Sequence, residues 1–166
     1  MINTVGIIGA GAMGSGIAQV AAQAGWEIVL IDTQQESLTR SRDKLLKILN
    51  RLVEKGRLTD MDSKAIFGRI HYETDQSALK DCNLIIEAIV ENVDIKKTLF
   101  TNLGKICKDK TILASNTSSI PISILAEVSG RPAKVVGMHF MNPVPVMKLV
   151  EVIRAKSTSD DTFETT

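Results

Sequence analysis

A histidine and a glutamate lie twelve positions apart in MHFMNPVPVMKLVEVI, which covers residues 138–153. A neutral imidazole can take a proton from a hydroxyl group near neutral pH, and a carboxylate that fixes its tautomer makes it a better base. His139 and Glu151 would form such a pair if the chain turned back through Pro143 and Pro145 and then ran beside the strand that carries His139. The alternative is a histidine that only fills the core.

A glycine-rich segment near the N-terminus has the spacing of a dinucleotide-binding loop. In VGIIGAGAMGSGIA, Gly9, Gly11 and Gly14 follow a predicted strand and precede a helix that starts near Ala12. The first glycine suits a tight turn, the second lets the backbone approach a pyrophosphate, and the third allows close packing of the helix on the strand. The anion is expected at the positive end of that helix. The predicted cofactor-binding residues of the loop are Gly9, Ala10, Gly11, Ala12, Met13 and Gly14.

Asp32 follows the second predicted strand, 18 residues after Gly14. A carboxylate at this position can accept hydrogen bonds from the hydroxyl groups of an adenosine ribose. Thr33 and Gln34 come next, and neither is the arginine that would bind a 2′-phosphate. The sequence therefore predicts NAD rather than NADP as the cofactor. The alternative is a glycine-rich turn that binds nothing.

A polar loop follows the predicted strand at 111–115. Asn116 and Ser118 offer amide and hydroxyl groups that could bind an oxygen of a substrate or the cofactor amide. One serine could instead cap the helix that is predicted to begin near Ser119, and both functions can hold at once.

Basic residues recur along the second predicted helix with steps of three and four, which places them on one face. They are Arg40, Lys44, Lys47, Arg51 and Lys55. Another face carries Leu38, Leu45, Leu49 and Leu52 and is predicted to be buried. The basic stripe is either a solvated helix surface or a face that binds a phosphate-bearing substrate.

Short apolar runs alternate with helical patterns along the chain. Strands are predicted at 4–8, 27–31, 69–73, 83–89, 111–115 and 134–140, and helices at 12–24, 35–55, 60–67, 92–108 and 119–128. This alternation predicts an α/β fold of the Rossmann type, with a doubly wound, mostly parallel sheet and flanking helices. Ligands of such sheets bind at the carboxyl ends of the strands, where His139 is also expected. His71 lies in a predicted strand and is interpreted as structural.

The composition of the 166 residues is that of an ordinary globular domain, with 44% hydrophobic and 23% charged residues. The net charge of +1 gives no overall field that would favour nucleic acid. Cys82 and Cys107 lack metal-ligand spacing, no metal site is predicted, and the thiols are interpreted as reduced. The sequence offers no candidate signal peptide or membrane span, so a cytoplasmic protein is expected.

The last ten residues, STSDDTFETT, contain helix-capping serines and aspartates. We expect residues 1–155 to form the cofactor-binding domain, and residues 156–166 to be the start of a C-terminal helical domain that is otherwise absent. The alternative is a frayed polar tail.

Four segments together resemble the N-terminal domain of L-3-hydroxyacyl-CoA dehydrogenases, especially the bacterial 3-hydroxybutyryl-CoA dehydrogenases. They are GIIGAGAMGSGIA, EAIVENVDIKK, ASNTSSI and GMHFMNPVPVMKLVEVI. The resemblance covers residues 2 to about 163. It implies that His139 is the catalytic base and Glu151 its partner, that Ser118 contacts the 3-oxygen of the substrate, and that Asn142 lies near the histidine and the cofactor.

The resemblance also implies binding roles for three charged residues. Glu91 and Lys96 match positions that contact the nicotinamide side of NAD, and Lys55 matches a lysine that binds coenzyme A. Ser118 and Asn142 are therefore predicted to contact the cofactor as well, and Ser118 the acyl-CoA.

The implied reaction is NAD-dependent oxidation of L-3-hydroxyacyl-CoA to 3-oxoacyl-CoA, or its reverse. Full-length members of the family are expected to be homodimers through the helical domain, and this chain alone is expected to bind NAD with weak or no turnover. One alternative is an NAD-binding module or sensor without chemistry. Another, a sugar-acid or polyol dehydrogenase, does not explain the basic stripe.

Overall fold

The computed structural model describes residues 2–166. Its helices are α1 (Ala12–Gln23), α2 (Gln35–Glu54), α3 (Asp60–Gly68), α4 (Val93–Ile106), α5 (Ile122–Val128) and α6 (Asp160–Thr165). Its strands are β1 (Thr4–Ile8), β2 (Glu27–Ile31), β3 (Ile70–Glu73), β4 (Leu84–Glu87), β5 (Ile112–Ser115), β6 (Val135–Phe140) and β7 (Val150–Arg154). Short 3₁₀ segments cover Gln76–Leu79 and Pro132–Lys134.

The strands form a single seven-stranded sheet in the order β3-β2-β1-β4-β5-β6-β7. All pairs are parallel except β6 with β7, which is antiparallel. The predicted Rossmann-type, doubly wound fold is confirmed. Because β1 pairs with both β2 and β4, the connections reverse direction beside β1, which is where such sheets form a ligand crevice.

Helices cover both faces of the sheet, so the central strands are apolar on both sides. All four residues of β4 and of β5 are buried. Because alternate side chains point to opposite faces, Ile86 packs in one apolar cluster with α1 and α2, and Ile85 packs in a second cluster with α4 and α5. Packing in these two clusters favours one register of the strands, and the register determines where the carboxyl end of each strand lies along the edge of the sheet.

All six predicted strands are present, and the largest difference lies at the start of α5. The helix predicted from residue 119 begins at Ile122, because Thr117 Oγ1 accepts the backbone N–H groups of Ser119 and Ile120 and holds them in a turn. The helix predicted from residue 92 begins one residue later, with Asn92 as its N-cap.

The final helix, α6, packs against the same domain. Ser159 caps it and accepts the backbone N–H of Thr162, and the hydroxyl group of Thr158 donates to the carbonyl of Val135 on β6. Thr162 is fully buried. The expectation that residues 156–166 begin a further domain stays a prediction. Among residues 2–166, no helix combines the length and the apolar character needed to cross a bilayer.

Candidate active site

The glycine loop joins β1 to α1, and its three glycines have different constraints. Gly9 has a φ of 103°, and a Cβ there would lie 2.6 Å from the carbonyl oxygen of Ala88. A Cβ on Gly14 would lie 1.8 Å from the carbonyl oxygen of Gly9. A Cβ on Gly11 would meet no atom within 4 Å. The fold therefore requires Gly9 and Gly14, whereas Gly11 borders open space that a ligand can occupy.

Asp32 lies just after β2 and is half-buried. Its Oδ2 accepts the backbone N–H of Ala10 at 2.8 Å, and its Oδ1 accepts that of Gln34 at 2.9 Å. A carboxylate oxygen has two acceptor positions, so each oxygen can still bind a ribose hydroxyl group. The carboxylate is thus fixed in orientation beside the start of the glycine loop.

A cavity of about 430 Å³ extends from Asp32 to the first turns of α4. Its walls are mainly apolar and include Ile8, Ile31, Ile89, Ile95 and Leu99. A flat heteroaromatic ring next to a ribose would bury its faces against such walls, which is how nucleotide sites usually hold a base.

His139 and Glu151 are brought together by the antiparallel pair of β6 and β7. They lie directly opposite each other in the register, and His139 Nδ1 is 2.8 Å from Glu151 Oε2. The histidine side chain is 23% exposed and the glutamate 52%. The imidazole is therefore held by one nitrogen and still accessible at the carboxyl edge of the sheet.

The loop between β6 and β7 reverses the chain through a cis Asn142–Pro143 peptide bond. Val144 in this loop is 5% exposed and packs on α1, where a Cβ on Gly16 would lie 2.9 Å from the Cβ of Val144. Helix α1, which follows the glycine loop, therefore also holds the loop of the hairpin formed by β6 and β7, which we call the histidine hairpin. Asn142 is exposed and lines a smaller cavity of about 240 Å³ between this loop, α1 and α2.

The loop after β5 lies between the glycine loop and the histidine. Asn116 Oδ1 accepts the backbone N–H of Phe140 at 2.8 Å, so this side chain ties the loop to β6. Ser118 is exposed on the same loop. The turn before α5 is held by Thr117, not by a serine, and the Thr117 hydroxyl donates to Glu91.

Glu91 and Lys96, the two candidate residues of EAIVENVDIKK, have different environments. Glu91 is exposed, at the edge of the sheet. Lys96 is 1% exposed, and its Nζ lies 2.5 Å from Oε1 of the fully buried Glu87. Direct contact of Lys96 with a cofactor stays a prediction. Sequence reasoning missed Glu87, for which the only signal was a carboxylate at the end of an apolar strand.

The basic stripe of α2 is exposed along its whole length, opposite the buried Leu38, Leu45 and Leu49. Lys44 lines the smaller cavity beside Asn142, and Lys55 forms the C-cap of the helix. The stripe therefore runs from the histidine hairpin towards the end of α2. His71 lies apart on β3, where Nε2 is 3.4 Å from Glu27 on β2, a partner that the sequence did not indicate.

Comparison with known proteins agrees with the resemblance noted in the sequence. Residues 4–166 match the family described as 3-hydroxyacyl-CoA dehydrogenase, NAD binding domain. A probable 3-hydroxybutyryl-CoA dehydrogenase of Deinococcus radiodurans is 59% identical over 157 residues, which are 95% of this chain and 56% of that protein. One from Bacillus subtilis is 47% identical, over 97% of this chain and 56% of that protein.

Solved structures agree. A 3-hydroxybutyryl-CoA dehydrogenase of Ralstonia eutropha superposes with a TM-score of 0.96 at 42% identity, covering 99% of this chain and 58% of that one. One from Escherichia coli K12 gives a TM-score of 0.97 at 42% identity, covering 99% of this chain and 35% of that one. The chain thus spans little more than half the length of the two curated relatives described above.

Proposed function

The chain belongs to the 3-hydroxyacyl-CoA dehydrogenase family, whose NAD binding domain it matches, and from that premise we propose that it supplies the cofactor site and the acid–base pair for interconverting L-3-hydroxyacyl-CoA and 3-oxoacyl-CoA. The observation that carries the proposal is the His139–Glu151 pair at the same sheet edge as the glycine loop. A protein that only binds a dinucleotide has no need for such a pair.

His139 acts as the general base when a hydroxyacyl group is oxidised. Its Nδ1–H donates to Glu151, so the lone pair of Nε2 is the one that takes the proton of the 3-hydroxyl group. The carboxylate fixes this tautomer and stabilises the imidazolium that forms. In the reverse direction the same imidazolium returns the proton to the 3-oxygen.

Three features of the chain fit NAD. When bound, this cofactor would accept a hydride from the hydroxyacyl group, and its reduced form would return it. Gly11 leaves room for a pyrophosphate beside the start of α1. Asp32 is oriented to accept from the ribose hydroxyl groups. The rest of the pyrophosphate site is formed by the backbone of the loop residues Gly9, Ala10, Ala12, Met13 and Gly14. The residues proposed to lie at the nicotinamide end of the cofactor are Glu91, Lys96, Ser118 and Asn142.

The substrate is proposed to lie across the polar loops at the histidine end of the sheet. Ser118 and Asn142 position its 3-oxygen, and both are exposed on loops beside His139. Lys55 binds the phosphates of coenzyme A at the end of the basic stripe, where an exposed ammonium can reach a flexible anion.

The remaining proposals concern the whole protein. Residues 1–155 form the NAD-binding domain, residues 156–166 lead into a helical domain, and that domain makes a homodimer. The protein is proposed to be cytoplasmic, which the two free, buried thiols of Cys82 and Cys107 support.

The test compares the chain with a chimera in which it replaces the matching part of the Deinococcus radiodurans relative. NADH oxidation with acetoacetyl-CoA is followed by absorbance, and NADH binding by fluorescence. We expect both proteins to bind NADH and the chimera to turn over. NADH binding without turnover in the chimera would favour the non-catalytic NAD-binding module.

A further inference from the structure

A buried ion pair lies beneath the cofactor edge of the sheet. Glu87, the last residue of β4, is fully buried, and Lys96, in the first turn of α4, is 1% exposed. Their charged atoms are 2.5 Å apart. Replacing a buried ion pair by apolar groups is often neutral or stabilising, so the stability of the fold does not by itself account for this pair.

The remaining acceptor positions of Glu87 bind the two neighbouring loops. Oε1 also accepts the backbone N–H of Ile89 at 2.7 Å, in the loop between β4 and α4. Oε2 accepts the hydroxyl group of Ser115 at 2.6 Å, at the end of β5. One carboxylate therefore joins the ends of two strands and the start of a helix. Among residues 2–166, no buried side-chain nitrogen or oxygen lacks a partner.

The network continues outwards to the surface of the crevice. The backbone N–H of Thr117 donates to Ser115 Oγ at 3.3 Å, and the hydroxyl group of Thr117 donates to Glu91. Glu91 and Ser118 are exposed on the two loops that this network joins. A continuous path of hydrogen bonds thus leads from Lys96 to the exposed carboxylate of Glu91.

The strand order shows which end of a dinucleotide these loops face. Asp32 follows β2, and the glycine loop follows β1, on one side of β4 and β5. His139 is on β6, on the other side. A cofactor whose adenosine is held at Asp32 must cross the loops after β4 and β5 to bring its reactive ring to the histidine.

From these contacts we infer that Glu87 and Lys96 are positioning residues that set Glu91 and Ser118 for the nicotinamide end of the cofactor. The inference rests on the proposed function. In this role Lys96 acts through Glu87 and the loops that Glu87 holds. The contacts of Asp32 do not involve the pair. A variant that keeps the bond to the backbone N–H of Ile89 also keeps this wall of the adenosine cavity in place.

The test compares NADH with ADP-ribose, which has the adenosine and pyrophosphate but no nicotinamide. The main variant is Glu87→Gln/Lys96→Met, in which the amide can still accept from Ile89 and donate to Ser115. We expect unchanged affinity for ADP-ribose and an affinity for NADH that falls about tenfold, because neutral amide bonds hold the two loops less firmly than the charge-assisted bonds of the carboxylate. Isothermal titration gives the ADP-ribose constants, and NADH fluorescence gives both the affinity and the environment of the nicotinamide.

A second pair of variants tests the same path closer to the surface. Thr117→Val removes the hydroxyl group that donates to Glu91, and Thr117→Ser retains it. We expect Thr117→Val to weaken NADH binding selectively and Thr117→Ser to restore it. If the double variant does not fold, the two Thr117 variants still test the inference. The matched control is Lys105→Met, at an exposed position on the same helix, which leaves both affinities unchanged.

Three results would overturn the inference. The first is that the variants lose affinity for NADH and for ADP-ribose to the same extent. The second is that neither the double variant nor Thr117→Val loses affinity for NADH. The third is that the unmodified chain binds the two ligands with equal affinity. If the unmodified chain binds neither ligand, the proposed function fails too, and that result is seen before any variant is compared.

Discussion

His139 and Glu151 face each other across β6 and β7, with Nδ1 and Oε2 2.8 Å apart. Since cross-strand neighbours share one face of the sheet, the carboxylate needs no long side-chain reach to hold the imidazole. The pair is therefore a product of the hairpin register, and any change that shifts the hairpin separates it.

The first prediction concerns the roles of the two residues, measured as kcat for acetoacetyl-CoA reduction in the chimera. His139→Gln removes the group that moves the proton, and we expect kcat to fall about 10²- to 10⁴-fold while NADH still binds. Glu151→Gln keeps a hydrogen-bond partner but not the charge, so a smaller loss is expected. Full activity of His139→Gln would exclude it as the base, and loss of NADH binding would point to a misfolded site.

The second prediction separates the glycines of the loop. Gly11→Ala adds a Cβ that meets no protein atom, so the melting temperature should stay near that of the unmodified chain while NADH affinity falls. Gly14→Ala adds a Cβ that would lie 1.8 Å from the Gly9 carbonyl, so the melting temperature itself should fall. Calorimetry and NADH titration measure both effects. Undiminished NADH binding by a folded Gly11→Ala protein would place the pyrophosphate elsewhere.

The sheet could be predicted because its central strands are covered on both faces. Runs such as LIIE in β4 and ILAS in β5 must be apolar throughout when helices pack above and below them. β7 is half-exposed and alternates, so the sequence indicated only that the chain returns. Its pairing with β6 depends on the loop that Val144 anchors on Gly16, and no local pattern encodes a contact between segments so far apart.

The framework of the candidate site could be predicted where a residue type has a fixed structural role at a fixed spacing, as in the turn at Gly9, the close packing at Gly14 and the position of Asp32 directly after β2. It was not predictable for Lys96, since a lysine in the first turn of an amphipathic helix is usually solvated. Its burial follows from the path of the loop that brings it to Glu87. Asn116 and Thr117 likewise gained partners that tertiary packing alone determines.

The third prediction tests the basic stripe with two lysines of the same helix. Lys55→Ala should raise the KM for acetoacetyl-CoA in the chimera about three- to tenfold, because an exposed charge-assisted contact is modest in strength. Lys47→Ala, an equal change of charge on the exposed face, is the control and should change KM little. The effect of Lys55→Ala should shrink as salt is added. Equal effects of the two substitutions would indicate a general field instead of a specific contact.

The fourth prediction concerns stability at high pH. Burial raises the pKa of the Cys82 thiol from 9.0 to about 12, and the side chain is buried in the apolar cluster that covers one face of the sheet. Below pH 9 the thiol is protonated in both the folded and the unfolded chain, so it contributes no pH dependence. Above that pH the unfolded thiol ionises and the folded one does not, so the free energy of unfolding falls as pH rises, until the folded pKa is reached.

The slope from one such group is at most about 1.4 kcal/mol per pH unit. Burial also raises the pKa of Tyr72 to about 12, which acts in the same direction from a somewhat higher starting pH. Cys82→Ala should therefore lower the melting temperature at neutral pH, because it leaves a small cavity, yet make the decline above pH 9 less steep. Thermal unfolding of both proteins across this pH range measures the two effects. Parallel declines would show that the thiol ionises as readily in the folded chain as in the unfolded one.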